Sequence, residues 1–201
     1  MISRQLAISA AVLAVAALCM GLFVWHMRGR ATQTEYSAAD ARPVAPPAAG
    51  PTEPVTLYLA DDATGSIRPL EARIALPEGR QQRAEELLRA LMIQYLGKDS
   101  THSLGAGSEV RDVYLVDPGL VVIDLNRAFA DSHQSGILVE ELTVLSLVKT
   151  LSANIPGILQ VKLLVNGAER ETLAGHADLA DNYDVAAVDR LVTQMEAAQA
   201  R

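Results

Sequence analysis

Hydrophobic positions along this chain follow three successive regimes. From Leu6 to Trp25 they run through twenty residues without a charge, LAISAAVLAVAALCMGLFVW. Over residues 31–54 the chain reads ATQTEYSAADARPVAPPAAGPTEP, which holds five of its nine prolines: Pro43, Pro46, Pro47, Pro51 and Pro54. From Val55 onward the apolar positions become periodic. Val55, Leu57 and Leu59 alternate with Thr56 and Tyr58, the period of a half-buried strand. A turn at 61–65 leads to a second strand over 67–75, where Pro69 marks an edge or an irregularity. Over 81–96 a helix is predicted. Ala84, Leu87, Leu88, Leu91, Met92, Tyr95 and Leu96 form one apolar stripe, and Arg83, Glu85, Glu86, Arg89 and Gln94 face water. Gly97 would stop that helix, and 97–108 is a polar loop.

Two strands follow, 109–116 and 120–125, joined by the turn residues Asp117, Pro118 and Gly119. A helix over 137–153, capped by Ser135, turns Leu138, Leu142, Leu145, Val148 and Leu151 to the core. After Pro156 and Gly157 comes a strand over 159–165. Asn166-Gly167 is a strong hairpin signal, which makes 169–173 the returning strand. Asp184 caps a last helix whose Val185, Val188, Leu191, Val192 and Met195 share one side. The order β-β-α-β-β-α-β-β-α predicts an α+β domain of two layers: a mixed, largely antiparallel sheet with its helices on one face.

The first regime has the length of a membrane anchor, since a helix of about 20 residues spans the ~30 Å hydrocarbon layer. Phe23 and Trp25 stand at its end, where aromatic rings favour the interface. Two other readings stay open. A cleaved signal peptide would have a shorter apolar part and a small-residue cleavage site, and HMRGRATQ offers none. A lipoprotein signal ending at Cys19 would have bulky Leu18 directly before the cysteine. The prolines of 31–54 favour extended polyproline conformations, which suit a spacer. The expected organisation is an anchor over 1–30, a linker over 31–54 and a domain over 55–201.

Charge separates the same regions. The whole chain carries 17 Lys and Arg against 24 Asp and Glu, a net charge of −7. Residues 1–30 hold Arg4, Arg28 and Arg30 and no acid. The acidic remainder argues against nucleic-acid binding, which calls for a basic face. A single cysteine, Cys19, excludes an intrachain disulfide. Arg4 on one flank and Arg28 and Arg30 on the other leave the orientation in the membrane undecided.

Several strings, in this order, resemble the GerMN domain of the sporulation and spore germination family of bacterial envelope proteins. They are Val55-Thr56-Leu57-Tyr58-Leu59, RAEELLRALM at 83–92, Leu104-Gly105-Ala106-Gly107-Ser108, and Val121-Val122-Ile123-Asp124-Leu125-Asn126 with Phe129. Further on come Glu140 and Glu141 before Leu147-Val148-Lys149-Thr150-Leu151, then VKLLVNG at 161–167 and ETLAGHADL at 171–179. Lys98 replaces an expected proline, and Lys149 stands where relatives often carry Asn. The resemblance implies one such domain behind a membrane or lipid anchor, placed outside the cytoplasm of a single-pass protein of the cytoplasmic membrane.

Candidate chemistry is sparse. His133 within Asp131-Ser132-His133-Gln134-Ser135 suggests a nucleophile and its base, but no G-x-S-x-G elbow accompanies it. His176 with Asp178, Asp181 and Asp184 combines metal-ligand types without a calcium-loop spacing. Asp124 and Asn126 end a strand, and Glu140 and Glu141 open a helix; paired carboxylates can do acid–base work. Acids in a first helical turn are also favoured by the helix dipole, and Asx residues at strand ends make turns. Asp124, Asn126, Glu140, Glu141, His176 and Asp178 are therefore the candidate functional surface, with no catalytic, metal or cofactor site expected. The expected role is non-catalytic: binding envelope proteins or peptidoglycan, in envelope assembly or in sporulation and germination. An envelope hydrolase acting on peptidoglycan or glycans, or a small-ligand or metal sensor, are the other classes. Convergent carboxylates in an isolated pocket would favour the enzyme. An exposed apolar sheet edge or groove would favour the binding module.

Overall fold

The computed structural model describes Met20, residues 50–116 and residues 118–199. Apart from Met20, the expected anchor from Leu6 to Trp25 lies outside the described residues, as does the linker up to residue 49. No helix among the described residues is long and apolar enough to cross a membrane.

Strands β1 (Thr52–Asp61) and β2 (Ser66–Ala75) form an antiparallel hairpin, in register from Thr52 opposite Ala75 to Asp61 opposite Ser66. β1 thus begins at Thr52, within the proline-rich stretch, and Pro54 pairs with Arg73 inside the ladder. Helix α1 (Arg80–Tyr95) follows, then β3 (Val110–Val116) and β4 (Leu120–Leu125), a short helix α2 (Arg127–Asp131), the long helix α3 (Ile137–Asn154), β5 (Gln160–Val165), β6 (Tyr183–Asp184) and α4 (Val185–Gln199).

The fold class is mixed α+β and the strand pairing is mixed and largely antiparallel, as expected, with one correction to the expected sheet: the described strands do not make a single one. The strands form two sheets: the β1–β2 ribbon and a four-stranded sheet in the order β3-β4-β5-β6. At the centre of the second sheet β4 and β5 run parallel, from Leu120 opposite Gln160 to Leu125 opposite Val165. Parallel neighbours need a crossover, here α2 and α3. Their sequences carry the mark of it: LVVIDL and QVKLLV are nearly continuous apolar runs, as strands buried on both faces are.

The Asn166-Gly167 turn forms, with φ of 54° and 72°, and Val165 and Ala168 exchange backbone bonds of 2.9 and 3.1 Å. The returning strand over 169–173 does not form. After the single bridge at Val165 and Ala168 the chain leaves the sheet, and the strand beside β5 is instead Tyr183–Asp184. Residues 171–173 bond instead to 177–179: the Leu173 amide donates to Ala177 O at 3.0 Å, and the Leu179 amide donates to Glu171 O at 2.8 Å. Ser135 is likewise not the α3 cap. The cap is Gly136, without a side-chain bond. Leu138, assigned to the core by spacing, is 48% exposed, whereas Leu142, Leu145, Val148 and Leu151 are buried. Asp184 does cap α4, accepting from the Ala187 amide at 2.8 Å.

Helix α3 organises the domain. Most of its length is buried, yet it carries a polar stripe at three- and four-residue spacing: Glu140, Thr143, Ser146, Thr150 and Asn154. The last three replace a strand along the free edge of β1. The Thr56 amide donates to Asn154 Oδ1 at 3.1 Å, and Asn154 Nδ2 donates back to Thr56 O at 2.8 Å. The Tyr58 amide donates to Thr150 Oγ1 at 3.0 Å, and Ser146 Oγ donates to Tyr58 O at 2.6 Å. The Ala60 amide donates to the Tyr95 hydroxyl at 2.8 Å. Buried backbone groups must find partners, so these side chains let an edge strand sit against a helix.

Candidate functional site

The six candidate surface residues fall in two places. Asp124 and Asn126 stand at the end of β4 and hold turns. Asp124 Oδ1 accepts from the Gly167 amide at 2.7 Å, and Arg111 Nε lies 3.8 Å from Oδ2. Asn126 caps α2, accepting from the Phe129 amide at 2.8 Å, and its Nδ2 donates to Gly107 O at 2.7 Å.

Glu140, Glu141, His176 and Asp178 gather at the start of α3. Glu140 is fully buried. Its Oε2 accepts from the amides of Ala174, His176 and Ala177, each at 2.9 Å. Its Oε1 accepts from the Gly136 amide at 3.1 Å and lies 2.8 Å from His176 Nδ1. Burial alone would raise its pKa, but the bonds from His176, Ala174 and Ala177 prevail and hold it at about 2. This carboxylate captures the amides of Ala174, His176 and Ala177 and so fixes the turn that follows the expected return strand. It is ionised across the physiological range, with its acceptor sites engaged, and is unsuited to shuttling protons.

Next to it, Glu141, His176, Ala177, Asp178, Asp181, Asn182 and Tyr183 line a cleft of about 290 Å³. Burial raises the pKa of Glu141. It also raises that of Tyr183, and the Glu141 charge adds to the shift. Among the described residues no group of three or more His, Cys, Asp or Glu is placed to hold a metal ion.

His133 does not meet a serine. Its Nδ1 donates to Gln134 O at 2.8 Å, and its Nε2 lies 2.7 Å from Thr143 Oγ1. Ser135 Oγ is instead 3.3 Å from His176 Nδ1. The Thr143 hydroxyl is shared with a histidine that the sequence did not single out, His102. His102 Nε2 is also 2.7 Å from Thr143 Oγ1, and its Nδ1 is 2.7 Å from Asp62 Oδ1. The order Asp62, His102, Thr143 imitates a nucleophile with its base and orienting acid. Thr143 and His102 are both buried, however, so no substrate carbonyl can approach the hydroxyl.

The larger concave surface lies elsewhere, around the β3–β4 turn. One groove of about 780 Å³ is lined by Leu115, Val116, Leu120, Val121, Ile155 and Ile158, together with Arg80 and Arg83. A second, of about 600 Å³, shares Val116, Leu120 and Ile158 and adds Leu159 and Val185. Leu159 is 60% exposed and Val116 46%. The turn between them is fixed by Gly119. Its φ is 102°, and a Cβ there would meet Gly157 O at 2.8 Å. The carbonyl of Gly119 accepts from the Leu159 and Gln160 amides at 2.8 and 3.1 Å. β3, which supplies Leu115 and Val116, is an edge strand of its sheet. Sequence reasoning missed this surface because its residues come from β3, β4 and the α3–β5 connection, and no single periodicity links them.

Residues 56–171 match the family model described as sporulation and spore germination. The chain is similar to the tandem GerMN domains of the sporulation protein GerM from Bacillus subtilis. Identity there is 22%, over 66% of this chain and 46% of that one, with a TM-score of 0.49. It is also similar to the first GerMN domain of the same protein, at 22% identity over 66% of this chain and 98% of that one, with a TM-score of 0.46. No curated protein matches the chain.

Proposed function

Because the chain belongs to the sporulation and spore germination family, we propose that its domain is a non-catalytic binding module of the cell envelope. On this reading the run from Leu6 to Trp25 anchors it in the cytoplasmic membrane, the proline-rich linker spaces it away, and the domain faces outward to bind a protein partner or cell-wall material. The observation that carries the reading is the apolar double groove at the β3–β4 turn, where Val116 and Leu159 are left to solvent. Contiguous apolar surface beside an edge strand is what a docking partner buries. Glu140 and the buried Thr143 are both occupied by the fold.

Leu159→Glu tests the reading. It should abolish capture of the native envelope partner while the melting temperature stays unchanged. Capture at the wild-type level would place the interface elsewhere. The hydrolase alternative rests on the cleft holding Glu141, Asp178 and Asp181. Measurable turnover of purified peptidoglycan, lost in Glu141→Gln, would favour it.

A further inference from the structure

The contacts from Asp62 to Gln134 form one unbroken chain. Asp62 Oδ1 meets His102 Nδ1, His102 Nε2 meets Thr143 Oγ1, Thr143 Oγ1 meets His133 Nε2, and His133 Nδ1 meets Gln134 O. Each bond must contain one proton, so these four bonds need four. An ionised Asp62, two neutral imidazoles and one hydroxyl supply three. The chain is complete only when it has taken one further proton from solvent. With that proton on His102 or on Asp62, His102 Nε2–H donates to Thr143, the Thr143 hydroxyl donates to His133 Nε2, and His133 Nδ1–H donates to Gln134 O. Thr143 also has the Val139 carbonyl at 3.1 Å. If the hydroxyl proton turned there, a second extra proton would be needed.

We propose that this chain captures one solvent proton on folding and acts as a proton-dependent clasp on the middle of α3. The clasp ties down the α1–β3 connection, which carries His102, and the α2–α3 connection, which carries His133. Without the captured proton, one of the four contacts sets lone pair against lone pair at hydrogen-bond distance, and that contact must open.

The surroundings decide where the charge sits. Asp62, on the β1–β2 turn, is the wet end, 29% exposed, whereas His102 is 1% exposed. Tyr95 of α1 presents its ring to His102 edge-on, with centroids 4.9 Å apart. From α2 the uncharged Phe129 ring stacks on His133. Glu140 of α3 attracts a proton toward His133, and the His102 charge repels one. His102 faces the Asp62 carboxylate, whereas His133 faces only a neutral carbonyl and a hydroxyl, so the extra proton belongs at the Asp62–His102 end. The 97–108 segment is further held by the Asp62 amide on Thr101 O at 3.1 Å and by Thr101 Oγ1 on Ala60 O at 2.8 Å.

The test uses the full chain in detergent, labelled with 15N in its histidine rings. At neutral pH, long-range nitrogen–proton spectra should show His133 neutral with its proton on Nδ1 and His102 as an imidazolium, or His102 neutral with its proton on Nε2 beside a protonated Asp62, read from the 13C shift of its labelled carboxyl. Two neutral rings beside an ionised Asp62, in any tautomers, would overturn it. Amide exchange at 101–104 tests the clasp. As the proton leaves with rising pH, exchange should accelerate by more than the roughly tenfold per pH unit of simple base catalysis. A slope of tenfold throughout would show that the proton holds nothing shut.

Discussion

The Tyr58 amide donates to the Thr150 hydroxyl at 3.0 Å, joining residues 92 positions apart. It is one rung of a mixed ladder in which α3 side chains satisfy the outer edge of β1. Thr150→Val keeps the shape and deletes the acceptor, leaving a buried N–H without a partner. Such a loss costs about 1–3 kcal/mol. Urea denaturation of Thr150→Val should show a lower midpoint at unchanged slope. Leu138→Ala, at a half-exposed site on the same helix, should move it far less.

Glu140→Gln is expected to be among the most damaging single changes. An amide nitrogen would replace one carboxylate oxygen where only donors are waiting, either the Gly136 amide and His176 or three backbone amides. Breaking a buried charged network of this kind costs about 3–5 kcal/mol. The sign of its pH dependence follows from the lowered pKa. The stabilisation is fully present above about 4.5 and lost as pH falls toward about 2. Over that range the shift is worth roughly 3 kcal/mol. Chemical denaturation from pH 6 down to pH 2.5 should trace this loss in the wild type and show it strongly reduced in Glu140→Gln.

His133 contributes an earlier acid step. Its pKa is lowered by burial first, and the His102 charge adds to this. The folded state therefore prefers the neutral ring. This contribution is complete above the ordinary value of about 6.5 and is lost as pH falls through it. The proton held at the Asp62–His102 end acts in the opposite sense over the same range, so the His133 step is read as a difference. Between pH 7.5 and 5.5 the stability of the wild type relative to His133→Gln should decline on acidification, before Glu140 begins to titrate. The same pH dependence in both proteins would mean that the imidazole is as free to charge as in the unfolded chain.

Much of this was legible in the residues, and the failures have physical causes. The helices at 81–96 and 137–153 and the strands at 120–125 and 159–165 announced themselves by period, because their burial is continuous. The return strand at 169–173 was misread because Asn166-Gly167 specifies a turn and not the ladder after it. Residues 171–173 pair with 177–179 instead, around a turn held by Glu140, which lies 34 residues from Ala174. The stripe of Glu140, Thr143, Ser146, Thr150 and Asn154 was visible as small polar residues at three- and four-residue spacing in an otherwise apolar helix. Its partners on β1, Thr56 and Tyr58, were not, because they are backbone groups and leave no trace in composition. The pairing of His102 with His133 through Thr143 joins three segments and has no signature in any one of them.

The remaining candidate residues separate binding from catalysis. Asp124→Asn weakens the bond that steadies the Gly167 turn, a loss of about 1 kcal/mol. Glu141→Gln and His176→Gln alter the lining of the small cleft. In each variant, activity in the cell should fall only in proportion to the folded protein recovered. Complete loss of activity with normal melting and normal partner binding would identify a catalytic residue.

The most direct measurement is site-specific photocrosslinking in native membranes, with a photoreactive amino acid placed at Leu159 in the apolar groove and, as a control, at exposed Glu71 on β2. A binding module that docks through the β3–β4 turn gives a discrete, light-dependent adduct from position 159 and none from position 71. Equal adducts from both positions, or none from position 159 while the chain still performs its role in the cell, would contradict it.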